Sequence, residues 1–166
     1  TAGYNQNRTK VTKVVVNTPA QLGNLNETLF GRAERGRIEL GQPRNNLVLN
    51  GTYERGDLSL SLRGQRFGQV TGVQALATGT ARQVPNLELS PKFITDVSAS
   101  YKVLKRATLT LGLDNMFDVY PDAIKDLGDV AAGYSDQGTF GVYRYSGLSP
   151  FGFNGRYMYA RVSFGL

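Results

Sequence analysis

The chain has no cysteine, no histidine and no tryptophan among its 166 residues. Without cysteine there is no disulfide, no thiolate nucleophile and no cysteine metal site. Without histidine the usual general base and the commonest metal ligand are gone. Neither a nucleophile–base triad nor a zinc-ligand cluster can be assembled, and no glycine-rich phosphate loop of the required spacing occurs. A pair of carboxylates is the main acid–base chemistry left. The sequence therefore points away from an enzyme and calls for no cofactor and no metal. Long apolar runs are missing too, so neither a membrane-spanning helix nor a signal peptide is expected. The opening residues, TAGYNQNRTKV, read as the interior of a longer chain.

What is present is not the composition of a disordered segment. Hydrophobic residues make up 40% of the chain, with nine tyrosines and eight phenylalanines, enough for an ordered domain. A net charge of +6 raises two acidic partners, nucleic acid and lipid head groups, beside the plainer reading of a charged, solvated surface. The basic residues lie scattered through 8–13, 32–44, 55–66 and 102–106 without a dense run, which argues against nucleic acid.

Helical periodicity is hard to find, whereas period-two alternation recurs. In NNLVLNGTY, Leu47, Leu49, Gly51 and Tyr53 oppose Asn46, Val48, Asn50 and Thr52. In LSLSLRGQRF, Leu58, Leu60 and Leu62 oppose Ser59, Ser61, Arg63 and Gln65. In FITDVSASYKV, Phe93, Val97, Ala99, Tyr101 and Val103 oppose Asp96, Ser98, Ser100 and Lys102. In ATLTLGLDN, Leu109, Leu111 and Leu113 oppose Thr108, Thr110, Gly112 and Asp114. The last strand sets Met158, Ala160, Val162, Phe164 and Leu166 against Tyr157, Tyr159, Arg161 and Ser163. A further strand is expected over 1–11, from Ala2 and Tyr4. Phe151 and Phe153 are out of phase with Val162 and Phe164, and a bulge near Gly155 would reconcile them.

The connections are uneven. Those near 54–57 and 103–106 are tight, while 12–45, 71–92 and 118–150 each exceed twenty residues. Long structureless loops are unusual inside a compact domain, but short turns at one end and long loops at the other are what an outer-membrane barrel shows. Alternation alone leaves the wet face open: a lipocalin-like barrel turns its apolar side chains inward, a membrane barrel outward. Six strands fall short of the eight that a bacterial membrane barrel needs.

Two stretches, LTLGLDNMFDVYPD and SGLSPFGFNGRYMYARVSFGL, resemble the last two strands of TonB-dependent outer-membrane receptors. That family usually reads Asn-Leu-Phe-Asp where this chain has Asn115, Met116, Phe117 and Asp118. LFGRAERGRIELGQPRNNLVLNGTY, from Leu29 to Tyr53, resembles a loop and strand found farther back in such barrels. The resemblance implies an all-β fold: an antiparallel up-and-down transmembrane β-barrel segment, the last six strands of a barrel of twenty-two, in the outer membrane of a Gram-negative bacterium. The loops 12–45, 71–92 and 118–150 would then be extracellular and the plug domain absent from this chain. It further implies active import of a scarce solute, such as an iron siderophore or an oligosaccharide. The implied partners are outer-membrane lipid and lipopolysaccharide, TonB through the plug segment of the whole receptor, and the barrel-assembly machinery, with no nucleic acid. Val162, Phe164 and Leu166 match the terminal assembly signal, except that the family usually ends in an aromatic residue. The other readings from the residues are a soluble, lipocalin-like small-ligand module with Leu58, Leu60, Leu109 and Leu111 around a pocket, and a passive porin fragment.

Candidate ligand residues lie in the long loops. Arg32, Arg35 and Arg37, with Arg44 nearby, can pair with carboxylate or phosphate, including lipopolysaccharide phosphates, or with Glu34, Glu39 and the loop aspartates of the chain itself. Tyr134, Tyr143, Arg144 and Tyr145, with Phe140, Phe151 and Phe153, can stack on a ligand or pack the loop. Asp114, Asp118, Asp122, Asp126, Asp129 and Asp136 are oxygen ligands without an EF-hand pattern, expected to be hydrated or paired with basic residues.

Overall fold

The computed structural model describes residues 1–15, 30–73, 86–124 and 144–165. Within them the chain is mostly antiparallel sheet with one short helix. The elements in order are β1 (Ala2–Gln6), α1 (Arg32–Glu39), β2 (Asn45–Arg55), β3 (Leu58–Phe67), β4 (Val70–Gly72), β5 (Leu87–Leu89), β6 (Lys92–Leu104), β7 (Ala107–Asp114) and β8 (Tyr157–Phe164). Six strands form one sheet in the order β1-β2-β3-β6-β7-β8, and β4 pairs with β5 in a small second sheet. The described residues form no closed barrel: β1 and β8 are the two edges.

The register explains why the alternation in the sequence has structural force. Leu62 stands opposite Gly51 on β2 and Val97 on β6, and Val97 opposite Leu113, which faces Met158. One row away, Leu60 is flanked by Tyr53 and Ala99, and Ala99 by Leu111, which faces Ala160. Side chains alternate strictly along a strand, so a one-residue slip in any ladder would scatter the apolar set over both faces. No such slip occurs in the body of the sheet. The single irregularity is a bulge between Lys102 and Leu104, beside the turn at Lys105–Arg106. The partner face carries Ser59, Ser61, Arg63, Ser98, Ser100, Thr108, Thr110 and Arg161 in the same rows, with Ser100 and Thr110 hydroxyls 2.8 Å apart.

Among the described residues nothing covers the leucine face. Leu62 and Leu111 are each 54% exposed, Val162 57% and Phe164 74%. These leucines line no sealed interior. The buried apolar cluster lies elsewhere, at the end of the sheet carrying the long connections. There Val70, Leu87 and Leu89 pack with Ile124 and Leu148. β4 and β5 continue the β3–β6 hairpin beyond Phe67 and Lys92, so this cluster crowns the sheet rather than backing it.

Turn chemistry accounts for the opposite end. Arg55 pairs with Leu58, leaving Gly56 and Asp57 as a two-residue loop. Gly56 has φ +58°, as the first position of a II′ hairpin requires. Arg55, Gly56 and Asp57 therefore serve the geometry of a tight turn. Strand β1 is shorter than the 1–11 expected. Gly155 does adopt positive φ, +73°, but before β8 begins, so the phase change of Phe151 and Phe153 falls in the connection and not in a bulged ladder.

Helix α1 lies in the stretch expected as loop. Its sequence, RAERGRIE, has no apolar stripe and carries a glycine at its centre, which costs about 1 kcal/mol against alanine. Gly36 is there because Val73 lies against it: a Cβ at this position would overlap the valine side chain. Glu34 in the first turn and Arg37 in the last suit the helix dipole.

A similar close approach occurs in the sheet, where the Tyr159 ring lies over its cross-strand partner Gly112. Gly112→Ala should push the ring aside and lower unfolding stability by about 1–2 kcal/mol. The loss should shrink in a Tyr159→Ala background, and additive losses in that double-mutant cycle would rule out the packing role.

Candidate functional site

The long-connection end holds most of the chain's polar organisation. It begins at Asn115, where β7 stops. Asn115 has φ +51° and Asp118 φ +57°, left-handed conformations that asparagine and aspartate tolerate better than other residues with a Cβ. The Asn115 side chain closes the turn on itself. Its Nδ2 donates to Val119 O at 2.8 Å, and its Oδ1 accepts from Val119 N at 2.9 Å. Its backbone amide donates to Asp96 Oδ1 at 2.9 Å, fixing the turn to β6.

Asp118 then accepts from the Arg156 amide at 2.8 Å. Tyr120 lies against the same carboxylate, and its phenol is raised above the ordinary tyrosine range. Loss of solvent comes first among the causes, then the charge of Asp118 and the hydrogen bond to it. Gly155 passes directly under the Tyr120 hydroxyl and Asp118, leaving no room for a Cβ. Asp122 forms a second latch, accepting from Ser90 N at 2.5 Å, Ser90 Oγ at 2.6 Å and Lys92 Nζ at 2.6 Å. Partial burial pushes this carboxyl upward, but the hydrogen bonds from Lys92 and Ser90 outweigh it and hold the group below the usual carboxylate range.

The candidate ligand residues divide into two groups. Arg32 and Arg35, with Phe30, Glu39, Val73 and Asn86, line a cavity of about 320 Å³ beside α1. Arg32 Nη2 donates to Asn86 Oδ1 at 2.6 Å, and Glu39 Oε1 accepts from Val11 N at 2.8 Å. Arg37 is exposed on the same helix outside that lining. In the second group, Arg144 sits 6.0 Å from the centroid of the Tyr145 ring. Tyr145 stacks between Tyr120 at 5.5 Å and Phe153 at 6.3 Å, and Phe151 stacks on Phe67 at 5.5 Å. Both groups lean on the same small sheet, α1 through Gly36 and Val73, the 144–148 segment through Leu148 against Gly72. Tyr134, Phe140, Tyr143, Asp126, Asp129, Asp136 and Leu166 lie outside the described residues. Val162 and Phe164 are exposed on β8, the edge strand.

Chemically, the end offers aromatic faces and guanidinium groups on a tied-down base. Such a surface can stack on a planar or sugar-like solute and pair with its anionic groups. Among the described residues no group of three or more carboxylates is placed to hold a metal ion. The loop aspartates are expected from the sequence to be hydrated or paired with basic residues, and Asp122 is indeed paired with Lys92; which partners they take was not legible, because Lys92 and Arg156 lie 30 and 38 positions away. Asn115 carried a signal: an Asn and an Asp bracketing a turn after a strand. No protein-family model matches the chain, and no curated protein is significantly similar to it.

Two outcomes follow from this geometry. The Lys92 and Ser90 hydrogen bonds hold the Asp122 carboxyl below its ordinary 3.8, so the stability they add is fully present above that value and lost as pH falls through the lower folded one. The Ser90 amide resonance should titrate with a midpoint below 3.8, and Lys92→Met should raise that midpoint. A wild-type midpoint at or above the unfolded value contradicts the latch. Gly155→Ala should cost about 1–2 kcal/mol from the backbone conformation alone, with added loss from displacing Tyr120. An unchanged denaturation midpoint would show that the approach is not tight.

Proposed function

We propose that this chain is the wall and outer-loop portion of an outer-membrane β-barrel that imports a scarce solute, of the TonB-dependent receptor type. The observation that carries the reading is the leucine face, apolar through six strands in register and without a partner among the described residues. A contiguous apolar surface of this kind marks an interaction or membrane site, and its opposite face has the serines, threonines and arginines suited to an aqueous lumen.

The layout of aromatics on the leucine face supports the same reading. Tyr4, opposite Leu47, and Phe93, opposite Arg66, stand at the long-connection end. Tyr53, Tyr101 and Phe164 stand toward the short-turn end. From Phe93 to Tyr101 is about 27 Å along the strand at about 3.4 Å per residue, or about 21 Å measured across a bilayer for a strand tilted by about 40°. That compares with an apolar band of about 25 Å flanked by aromatic girdles. Strands β2, β3 and β6, of 11, 10 and 13 residues, reach the roughly 9–11 needed to cross. No helix among the described residues is long and apolar enough to cross a membrane, which leaves strands unaddressed.

The Arg32–Arg35 cavity and the Arg144–Tyr145–Phe153 stack lie at the end that would face outward, where a solute is first met. Import through a TonB-driven plug comes from the family resemblance, and these loops would supply capture rather than energy coupling.

Depth supplies the test. Leu62 lies midway between the Phe93 and Tyr101 rows. In the natural polypeptide containing this chain, Leu62→Arg should therefore cost about 2–4 kcal/mol of folding stability in bilayer or detergent. Leu60→Arg should cost less and Leu58→Arg, beside Tyr101, least. Equal costs at the three positions, or a monodisperse wild type in water without amphiphile, would overturn the membrane reading in favour of a soluble ligand-binding module.

A further inference from the structure

A second cavity, of about 270 Å³, opens where the large sheet meets the β4–β5 hairpin. It is lined by Leu40, Arg44, Asn45, Gln69 and Thr71. Arg44 and Gln69 are exposed, and the lining includes no carboxylate. Its polar side chains all carry hydrogen-bond donors. The Thr71 amide is already committed to Leu40 O at 3.0 Å and the Gly68 amide to Asn45 O at 2.9 Å, so these two backbone donors are taken and the side chains carry the binding chemistry.

A second positive charge stands directly behind this lining. Arg66 belongs by register to the leucine face, opposite Leu47 and Phe93. It is half-buried, and its Nη1 donates to Asn45 Oδ1 at 2.6 Å. That bond uses the acceptor of the Asn45 amide and leaves its nitrogen as a donor. The ion pair between Lys92 and Asp122 at this end involves neither arginine. An arginine at the end of an apolar face, joined through an amide to a carboxylate-free cavity holding another arginine, is a site for a compact oxyanion.

We infer that this cavity binds a phosphate group, with Arg44 and Arg66 as its charges and Asn45, Gln69 and Thr71 as neutral donors. Two sources share that chemistry. Inorganic phosphate would enter from solution. A phosphorylated lipid head group would enter from the side, because Arg66 lies in the outermost aromatic row of the apolar face and Asn45 stands two residues beyond that row on the same face. The lipid source rests on the membrane reading above; the phosphate site itself does not.

The experiment uses the natural full-length protein in neutral detergent, with three variants: Arg44→Gln, the double variant Arg44→Gln/Arg66→Gln, and Arg55→Gln as a charge-matched control at the short-turn end. Circular dichroism confirms that each retains its strands. Binding is measured for inorganic phosphate, for bisphosphorylated lipid A and for the same lipid with its phosphates removed. Arg44→Gln should weaken phosphate binding about tenfold and the double variant further, with Arg55→Gln unchanged. If the lipid follows the same order and its dephosphorylated form binds weakly to all, the source is the membrane. If inorganic phosphate alone follows it, the cavity serves a soluble anion. Wild-type affinity of the double variant for both phosphate ligands, or equal loss in Arg55→Gln, overturns the site, whatever the outcome of the leucine depth series.

Discussion

Everything in this structure depends on a period of two being kept in register across six strands. Backbone ladders hold the strands together, and the alternation of side chains then sorts the sheet into a leucine face and a hydroxyl-and-arginine face. No described residue covers the leucine face. A fully buried leucine or valine is worth about 1.5–3 kcal/mol relative to exposure, and most of that is forgone wherever the face meets water. The buried cluster of Val70, Leu87 and Leu89 is too small and too far to one end to substitute for it. The stability of the sheet is therefore set by what lies against that face, which is the physical content of the membrane reading.

The long-connection end solves a different problem, that of leaving a strand and returning to the next one in a defined direction. Left-handed residues at Asn115, Asp118 and Gly155 turn the chain, and side-chain hydrogen bonds replace the ladder that stops at Asp114 and Tyr157. Lys92, Ser90 and Asp122 tie the hairpin extension to that turn. A ligand contacting Tyr145 or Phe153 would then meet rings already stacked on this base, so little further ordering would be needed on binding.

Much of the sheet was legible because periodicity is a local signal. Leu58, Leu60 and Leu62 reveal their common face within five residues, and Gly56–Asp57 reveals its turn within two. The features that escaped are non-local or lack a pattern. Helix α1 has no apolar stripe, and the reason for Gly36 is Val73, far along the chain. Gly112 reads as a weak point of a strand until Tyr159 is placed over it. Arg66 breaks the apolar phase of β3, and its significance appears only when register sets it beside Asn45 and in the outermost aromatic row. The arginines of α1 were legible as a group, but their division between a cavity lining and an open helix face was not.

The two free edges constrain what the sheet belongs to. Every neighbouring pair is antiparallel, so β1 and β8, first and last of six, run in opposite directions. Closure therefore requires either no further strand or an even number of them. With the hydroxyl-and-arginine face turned inward, as the proposed reading has it, the six strands alone are too few to close. About eight strands give an interior that side chains just fill, whereas the polar face already carries Arg63, Gln65, Lys102, Tyr157, Tyr159 and Arg161 in adjoining rows. A six-stranded barrel would force these long polar and charged side chains together in a space too narrow for them and for the water they need. On the proposed reading, the sheet is one arc of a wider wall, because in a bilayer the outer backbone groups of β1 and β8 must also be paired.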